Sequence, residues 1–193
     1  MYDPWGMTVT RGSTYRDSLR WASSDCVFVP ITDVSPAAPC VVVAPGHGLV
    51  DGWTARIESV RGMCLDGAGG AVRVLDPDTV EFPCLNALDA GVYRGSGTLV
   101  YHRPVDLTGY TARQQIRTRA GGDLLYEMTT ENGRIEVDVP GCVIHRIIPA
   151  ADTEAFEWRR GVFDLEMVQN DYVVKIDSGT VLVRAEVTVE EPV

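Results

Sequence analysis

Apolar and polar residues alternate along this chain in short runs, with a period of two far more often than the 3.6-residue period of a helix. In Thr111–Arg117, Ala112, Gln114 and Ile116 fall on one face, while Thr111, Arg113, Gln115 and Arg117 fall on the other. In Arg134–Val139, Ile135, Val137 and Val139 face one way and Glu136 and Asp138 the other. This is the pattern of a strand buried on one side in an antiparallel sheet. Runs rich in Val, Ile, Thr and aromatic residues predict further strands at Cys26–Ile31, Cys40–Ala44, Thr54–Val60, Ala71–Leu75, Thr79–Phe82, Gly97–His102, Leu124–Thr129, Val143–Ile148, Gly161–Val168, Tyr172–Asp177 and Gly179–Val189.

The punctuation between these runs is Gly, Pro, Asn and Asp. Asn132-Gly133 predicts a type I′ hairpin turn, because both residues tolerate positive φ. Asn170-Asp171 predicts a second hairpin between Phe163–Val168 and Tyr172–Ile176. Helix signals are sparse. Ala150–Phe156 predicts one or two turns, with Asp152 and Thr153 as candidate caps, and Asn86–Ala90 is a weaker candidate. The fold class is therefore all-β, a meander or a sandwich. The stretch from Pro36 to Arg103 reads differently. It opens on Pro36, Pro39 and Pro45, and its strand–turn order, through Gly46–Gly52 and Asp76–Thr79, suits a small barrel or curled sheet.

Composition narrows the function. No apolar run approaches the roughly 20 residues that span a bilayer, and the start MYDPWGMTVTRG lacks a secretory pattern. The expectation is no membrane partner. The net charge is −10, which argues against nucleic acid as a partner. The acidity is concentrated in the second half, where residues 104–193 hold 16 acids against 9 bases. Five cysteines, Cys26, Cys40, Cys64, Cys84 and Cys142, contain no CxxC pair and predict small buried hydrophobes rather than a disulfide framework.

The chemistry-bearing motifs are missing. His47, His102 and His145 form no metal-ligand spacing. There is no G-x-S-x-G elbow, and no Gly-Lys-Ser/Thr follows Gly67–Ala71. Asp76 and Asp78 read as a turn. No catalytic residue, metal site or cofactor is expected, and the protein reads as a non-enzyme. The tryptophans are more informative. Trp53 starts a strand and is expected in a core. Trp5 lies in an N-terminal arm with Tyr2 and Met7, which packs either on a neighbour or on its own fold. Trp158 sits beside Arg159 and Arg160, a polar setting for a large ring. Tyr2, Trp5, Met7, Trp158, Arg159 and Arg160 are the candidate interface residues.

Two stretches resemble known modules. VVVAPGHGLVDGWTARIESV (Val41–Val60) and RVLDPDTVEF (Arg73–Phe82) resemble the small FCCH-like β-barrel found in phage tail and virion proteins. MTVTRGSTYRDSLRW (Met7–Trp21), PVDLTGYTARQQIR (Pro104–Arg117), EMTTENGRI (Glu127–Ile135), GVFDLE (Gly161–Glu166) and GTVLVRAEVT (Gly179–Thr188) are similar to the sandwich domain of phage baseplate upper proteins. Ser13 departs from the Asp usual after Gly12, and Met63–Ala71 is shorter than the loop of related sequences. The resemblance implies an all-β protein: an Ig-like antiparallel sandwich formed by residues 1–35 and 104–193, interrupted by an inserted small barrel at 36–103. Such an insertion is tolerated when its ends lie close together. It also implies a structural component of a tailed-phage virion, in the tail, neck or baseplate, acting as an assembly or fibre-anchoring adaptor. The expected partners are other virion subunits, including tail, neck or fibre proteins and further copies of the chain. The expected location is the virion, assembled in the host cytoplasm. A capsid decoration protein and a glycan-binding or glycan-cleaving tail module are the alternatives.

Overall fold

A computed structural model describes residues 6–186. The chain is nearly all β. In order it forms β1 (Gly6–Thr10), β2 (Tyr15–Leu19), β3 (Ala22–Pro30), β4 (Asp33–Val34), β5 (Cys40–Val43), β6 (Thr54–Glu58), β7 (Gly69–Ala71), β8 (Arg73–Asp76), β9 (Thr79–Phe82), β10 (Thr98–Pro104), β11 (Thr111–Arg117), β12 (Leu124–Thr129), β13 (Ile135–Asp138), β14 (Val143–Ile148), α1 (Ala150–Glu154), β15 (Arg160–Gln169) and β16 (Tyr172–Arg184). These elements divide into two compact units, Met1–Trp21 with Asp106–Val193, and Ala22–Val105.

The first unit is a sandwich. A five-stranded sheet, β1-β16-β15-β11-β12, faces a three-stranded sheet, β13-β14-β2. Among the described residues only β1 runs parallel to its neighbour, with Gly6–Thr10 beside Thr180–Arg184. The inward phase of each strand is apolar and buried: Met7 and Val9, Ala112 and Ile116, Ile144 and Ile148, Phe163, Leu165 and Met167, Val181 and Val183. The predicted face of β11 is observed, with Ala112, Gln114 and Ile116 buried; in β13 only Ile135 is buried, Val137 is half-buried, and Val139, expected on the same face, lies past the end of the strand and is exposed. Tyr172–Arg184 is one strand where two were expected. Its register slips opposite Leu165/Glu166, so it bends without breaking.

Asn132-Gly133 does not close a hairpin. Its flanking strands, β12 and β13, belong to opposite sheets, and the turn carries the chain across the sandwich. Only Gly133 has positive φ (70°). Asn132 holds the turn with its side chain instead. Its Oδ1 accepts from the N–H groups of Thr129 (2.9 Å) and Arg134 (3.0 Å), and its Nδ2 donates to the Glu127 carbonyl (3.1 Å). The Asn170 turn is a hairpin, with Gln169 opposite Tyr172 and Asn170 at φ 52°. Helix α1 starts after Pro149 with no side-chain cap. Thr153, expected as a cap, is buried and its hydroxyl donates to the carbonyls of Ser13 and Ala150, both at 2.9 Å. Residues 86–90 form turns rather than a helix, with the Leu88 N–H on the Asn86 side chain.

The second unit contains two four-stranded sheets, β3-β10-β6-β7 and β4-β5-β9-β8. Among the described residues no ladder joins them into the expected closed barrel. The reason is visible at the edges: β4 has two residues and β7 three. Gly69 in β7 lies so close to β6 that an added Cβ would stand 2.3 Å from the Ala55 carbonyl oxygen. The unit begins at Ala22 rather than Pro36, because β3 pairs along its length with β10. Ala22 stands opposite Pro104 in that ladder, so the insert's entry and exit are side by side. Trp53 is buried and donates its indole N–H to the His102 carbonyl (2.8 Å). His47 is buried as well; its Nδ1 accepts from the Leu49 N–H and its Nε2 bonds the Asp76 carbonyl.

Candidate interaction site

Two of the sandwich's polar groupings, among the described residues, bear most on binding. The first lies between the sheets. Arg146 on β14 shares its phase with Ile144 and Ile148, so its guanidinium is carried into the core, with its side chain 5% exposed. It forks onto Asp17 of β2, with Nε to Oδ1 at 2.8 Å and Nη2 to Oδ2 at 2.5 Å. Its Nη1 reaches both Asp177 (2.9 Å) and the buried Gln114 (2.8 Å). Phe163 lies under the cation, 5.5 Å from its ring centroid. Burial opposes the charge, but hydrogen bonding to Asp17 and the charges of Asp17 and Asp177 hold the Arg146 pKa above its ordinary value. Tyr15 donates to Asp17 at 2.7 Å, and burial together with that bond pushes its phenol pKa well up. The group ties β2, β11, β14 and β16 together and is saturated, since no buried side-chain N or O among the described residues lacks a partner.

The second feature is a groove of about 450 Å³ on the outer face of the five-stranded sheet. The register sets two rows there. Arg160, Leu182 and Thr8 lie side by side on β15, β16 and β1, and beside them lie Val162, Thr180 and Gly6. Small residues, Gly6, Thr8 and Thr180, leave the hollow. Leu182 and Val162 give it an apolar floor, Thr118 closes one side, and Arg160 and Arg184 bring two exposed guanidiniums to it. Neither arginine is ion-paired among the described residues. The arrangement suits a carboxylate-bearing segment lying over an apolar strip.

The expected interface residues separate. Tyr2 and Trp5 lie outside the described residues. Met7 is 3% exposed and faces the core, where its sulfur accepts from Gln114 at 3.2 Å; its side chain is not offered to a neighbour, because the alternation of β1 turns it inward. Trp158 is half-buried. Its ring lies on Phe156, centroids 4.8 Å apart, and Phe156 meets Tyr126 edge-on at 5.2 Å. Much of its aromatic surface therefore serves its own core. Arg159 and Arg160 are exposed, and Arg160 lines the groove. Sequence reasoning missed Arg184, which belongs to the same groove only because β16 pairs with β15.

The cysteines are unlike the expectation of five buried thiols. Cys40 alone is fully buried, Cys142 is intermediate, and Cys26, Cys64 and Cys84 are exposed. All five are free. Asp76 and Asp78 form a turn, with Asp76 Oδ1 accepting from the Asp78 N–H (2.8 Å) and Asp78 Oδ1 from the Gly46 N–H (2.9 Å). Among the described residues no set of three His, Cys, Asp or Glu side chains is placed to hold a metal, and no helix is long and apolar enough to cross a membrane.

Comparison with protein-family models and with curated proteins gives no match to this chain.

Proposed function

We propose that this chain is a structural component of a tailed-phage virion, in the tail, neck or baseplate, where it acts as an assembly or fibre-anchoring adaptor. One observation carries the reading. Met7–Trp21 and Pro104–Arg117, whose residues resemble a phage sandwich domain, are separated by more than eighty residues of insert. They nevertheless contribute Met7, Val9, Ala112 and Ile116 to a single core. The later pieces of the same motif series, around Gly161–Glu166 and Gly179–Arg184, pair into the same sheet. The function is then binding geometry. The sandwich presents edges and a charged groove to other virion subunits, the insert presents a second surface, and no residue acts as a catalyst.

The test is mass spectrometry of purified particles made by the genome that encodes this sequence. Recovery of the chain at a fixed ratio to the major tail proteins is the expected result. Its confinement to the unassembled fraction of the infected lysate would overturn the proposal.

A further inference from the structure

Among the described residues eight strands end the four sheets. Seven of them are two to six residues long. The eighth, β3, has nine, Ala22–Pro30. A long open edge is a template for another strand, and β proteins ordinarily blunt it with lysine, proline or a bulge. β3 has no lysine, and Asp25 is its only charge. Its proline, Pro30, stands at the very end, and the register shift against β10 lies at the other end, beyond Cys26. Residues 26–29 carry none of these devices.

The ladder fixes which backbone groups are open. Ile31 donates its N–H to the Gly97 carbonyl at 2.9 Å. Bonded pairs alternate along an antiparallel ladder, so in the same register Val29 bonds Leu99 and Val27 bonds Tyr101. The N–H and C=O of Cys26 and Phe28 therefore point away from β10, to the open edge. Pro30 agrees with this phase, because it has no N–H and stands where none is given to β10. The side chains at the same positions are open as well. Phe28 is 63% exposed, and Cys26 is exposed and free. Val27, between them on the other face, is half-buried.

We propose that β3 pairs with β3 of a second copy, antiparallel about a two-fold axis at Val27. This register sets Cys26 of each copy opposite Phe28 of the other, so the open N–H and C=O groups of both residues are bonded in both copies. Each Phe28 ring then lies against the second copy's Cys26, and the row Arg56, Val100, Phe28 continues across the contact. The two Val27 side chains meet on the axis, and each Asp25 stands opposite Val29. A second copy is the occupant that fits. The contact is isologous, and one uncharged stretch supplies both its donors and its acceptors. It also joins two chains of net charge −10 without setting carboxylate against carboxylate. The sheet of four strands becomes one of eight. This pairing does not depend on the virion reading.

Sedimentation equilibrium and thiol cross-linking of the full chain test it. The wild type is expected to dimerise reversibly, and more tightly as salt screens the repulsion between acidic chains. With Cys64→Ser and Cys84→Ser in place, Cys26 is the remaining fully exposed thiol. In the dimer the two Cys26 residues are diagonal neighbours about 7–8 Å apart, too far for a ready disulfide but within reach of a short bismaleimide. That reagent is expected to give a covalent dimer, which Cys26→Ser prevents. Phe28→Lys puts a charge on the edge, and Phe28→Pro removes an outward N–H without touching the ladder to β10. Each is expected to weaken dimerisation about ten-fold or more and to remove the cross-link. Leu88→Lys, at a position 61% exposed outside β3, should dimerise like the wild type. Melting temperatures identify any variant that loses the fold. A monomeric wild type, folded Phe28 variants that dimerise as before, or a dimer that the Cys26 thiols do not cross-link would each overturn the pairing.

Discussion

Replacing Arg146 with Ala removes the charge at the centre of the sandwich while leaving its partners in place. Gln114, fully buried, loses the donor to its Oε1; an unsatisfied buried acceptor costs about 1–3 kcal/mol. Asp17 and Asp177 lose their counter-charge. Breaking a buried ion pair from one side costs about 3–5 kcal/mol. The aspartate side chains are 29% and 30% exposed, so water re-solvates them in part. The expected net loss is therefore at the lower end, about 3 kcal/mol. At about 2–4 °C per kcal/mol for a chain of this size, the melting temperature falls by about 6–12 °C. Differential scanning calorimetry measures it. A companion variant, Arg146→Met with Tyr15→Phe, Asp17→Leu, Asp177→Leu and Gln114→Leu, removes the whole polar group, including the Tyr15 hydroxyl that donates to Asp17, and should recover most of the loss. A fall of under about 2 °C for Arg146→Ala, or a companion variant no better than the single one, would refute the view that uncompensated charge is what the network prevents.

Other outcomes follow from particular residues. Burial, then the hydrogen bond to Asp152, pushes the Tyr126 phenol pKa up to about 12. The folded state therefore keeps a proton that the unfolded chain releases near pH 10. This stabilisation is complete below about pH 10 and is lost as pH climbs from there to about 12; Tyr126→Phe should flatten that part of the stability profile, and tyrosinate absorbance should lose one late-titrating phenol. Asn132→Ala strips three hydrogen bonds from the inter-sheet turn and should cost about 1–3 kcal/mol by urea unfolding. Asn170→Val places a β-branched residue at φ 52° and should cost about 1–2 kcal/mol, with Asn170→Gly close to neutral. Native labelling with a thiol reagent should modify Cys26, Cys64 and Cys84 quickly, Cys142 slowly, and Cys40 only on unfolding; fast loss of the Cys40 thiol would contradict its burial.

The strands were legible because each buries one face and the alternation writes that face into the sequence. At Thr111–Arg117, Leu124–Thr129 and Val143–Ile148 the strands begin and end at the residues the pattern predicts. The Arg146 network carries a signal of the same kind: Arg146 shares its phase with Ile144 and Ile148, Gln114 with Ala112 and Ile116, and Asp17 with Tyr15 and Leu19. A charge or amide in an apolar phase marks a paired group in a core. What the sequence does not hold locally is which sheet a strand joins. Asn132-Gly133 looks like a hairpin because the alternative, a side-chain-held turn between sheets, uses the same two residues. The start of the insert at Ala22 has no local mark, because β3 finds its partner, β10, some seventy residues later. Cys26, Cys64 and Cys84 sit among small and apolar neighbours, yet lie at exposed positions that local composition does not reveal. The groove arises from a parallel pairing between the first and last strands, so no local pattern announces it.

The most direct measurement of the central claim is cryo-electron microscopy of intact particles made by the genome that encodes this chain. The account predicts density in the tail, neck or baseplate for a sandwich with a five-stranded and a three-stranded sheet and a separate insert, in contact with neighbouring subunits. Particles in which every layer is assigned to other proteins, with no density for this chain, would contradict it.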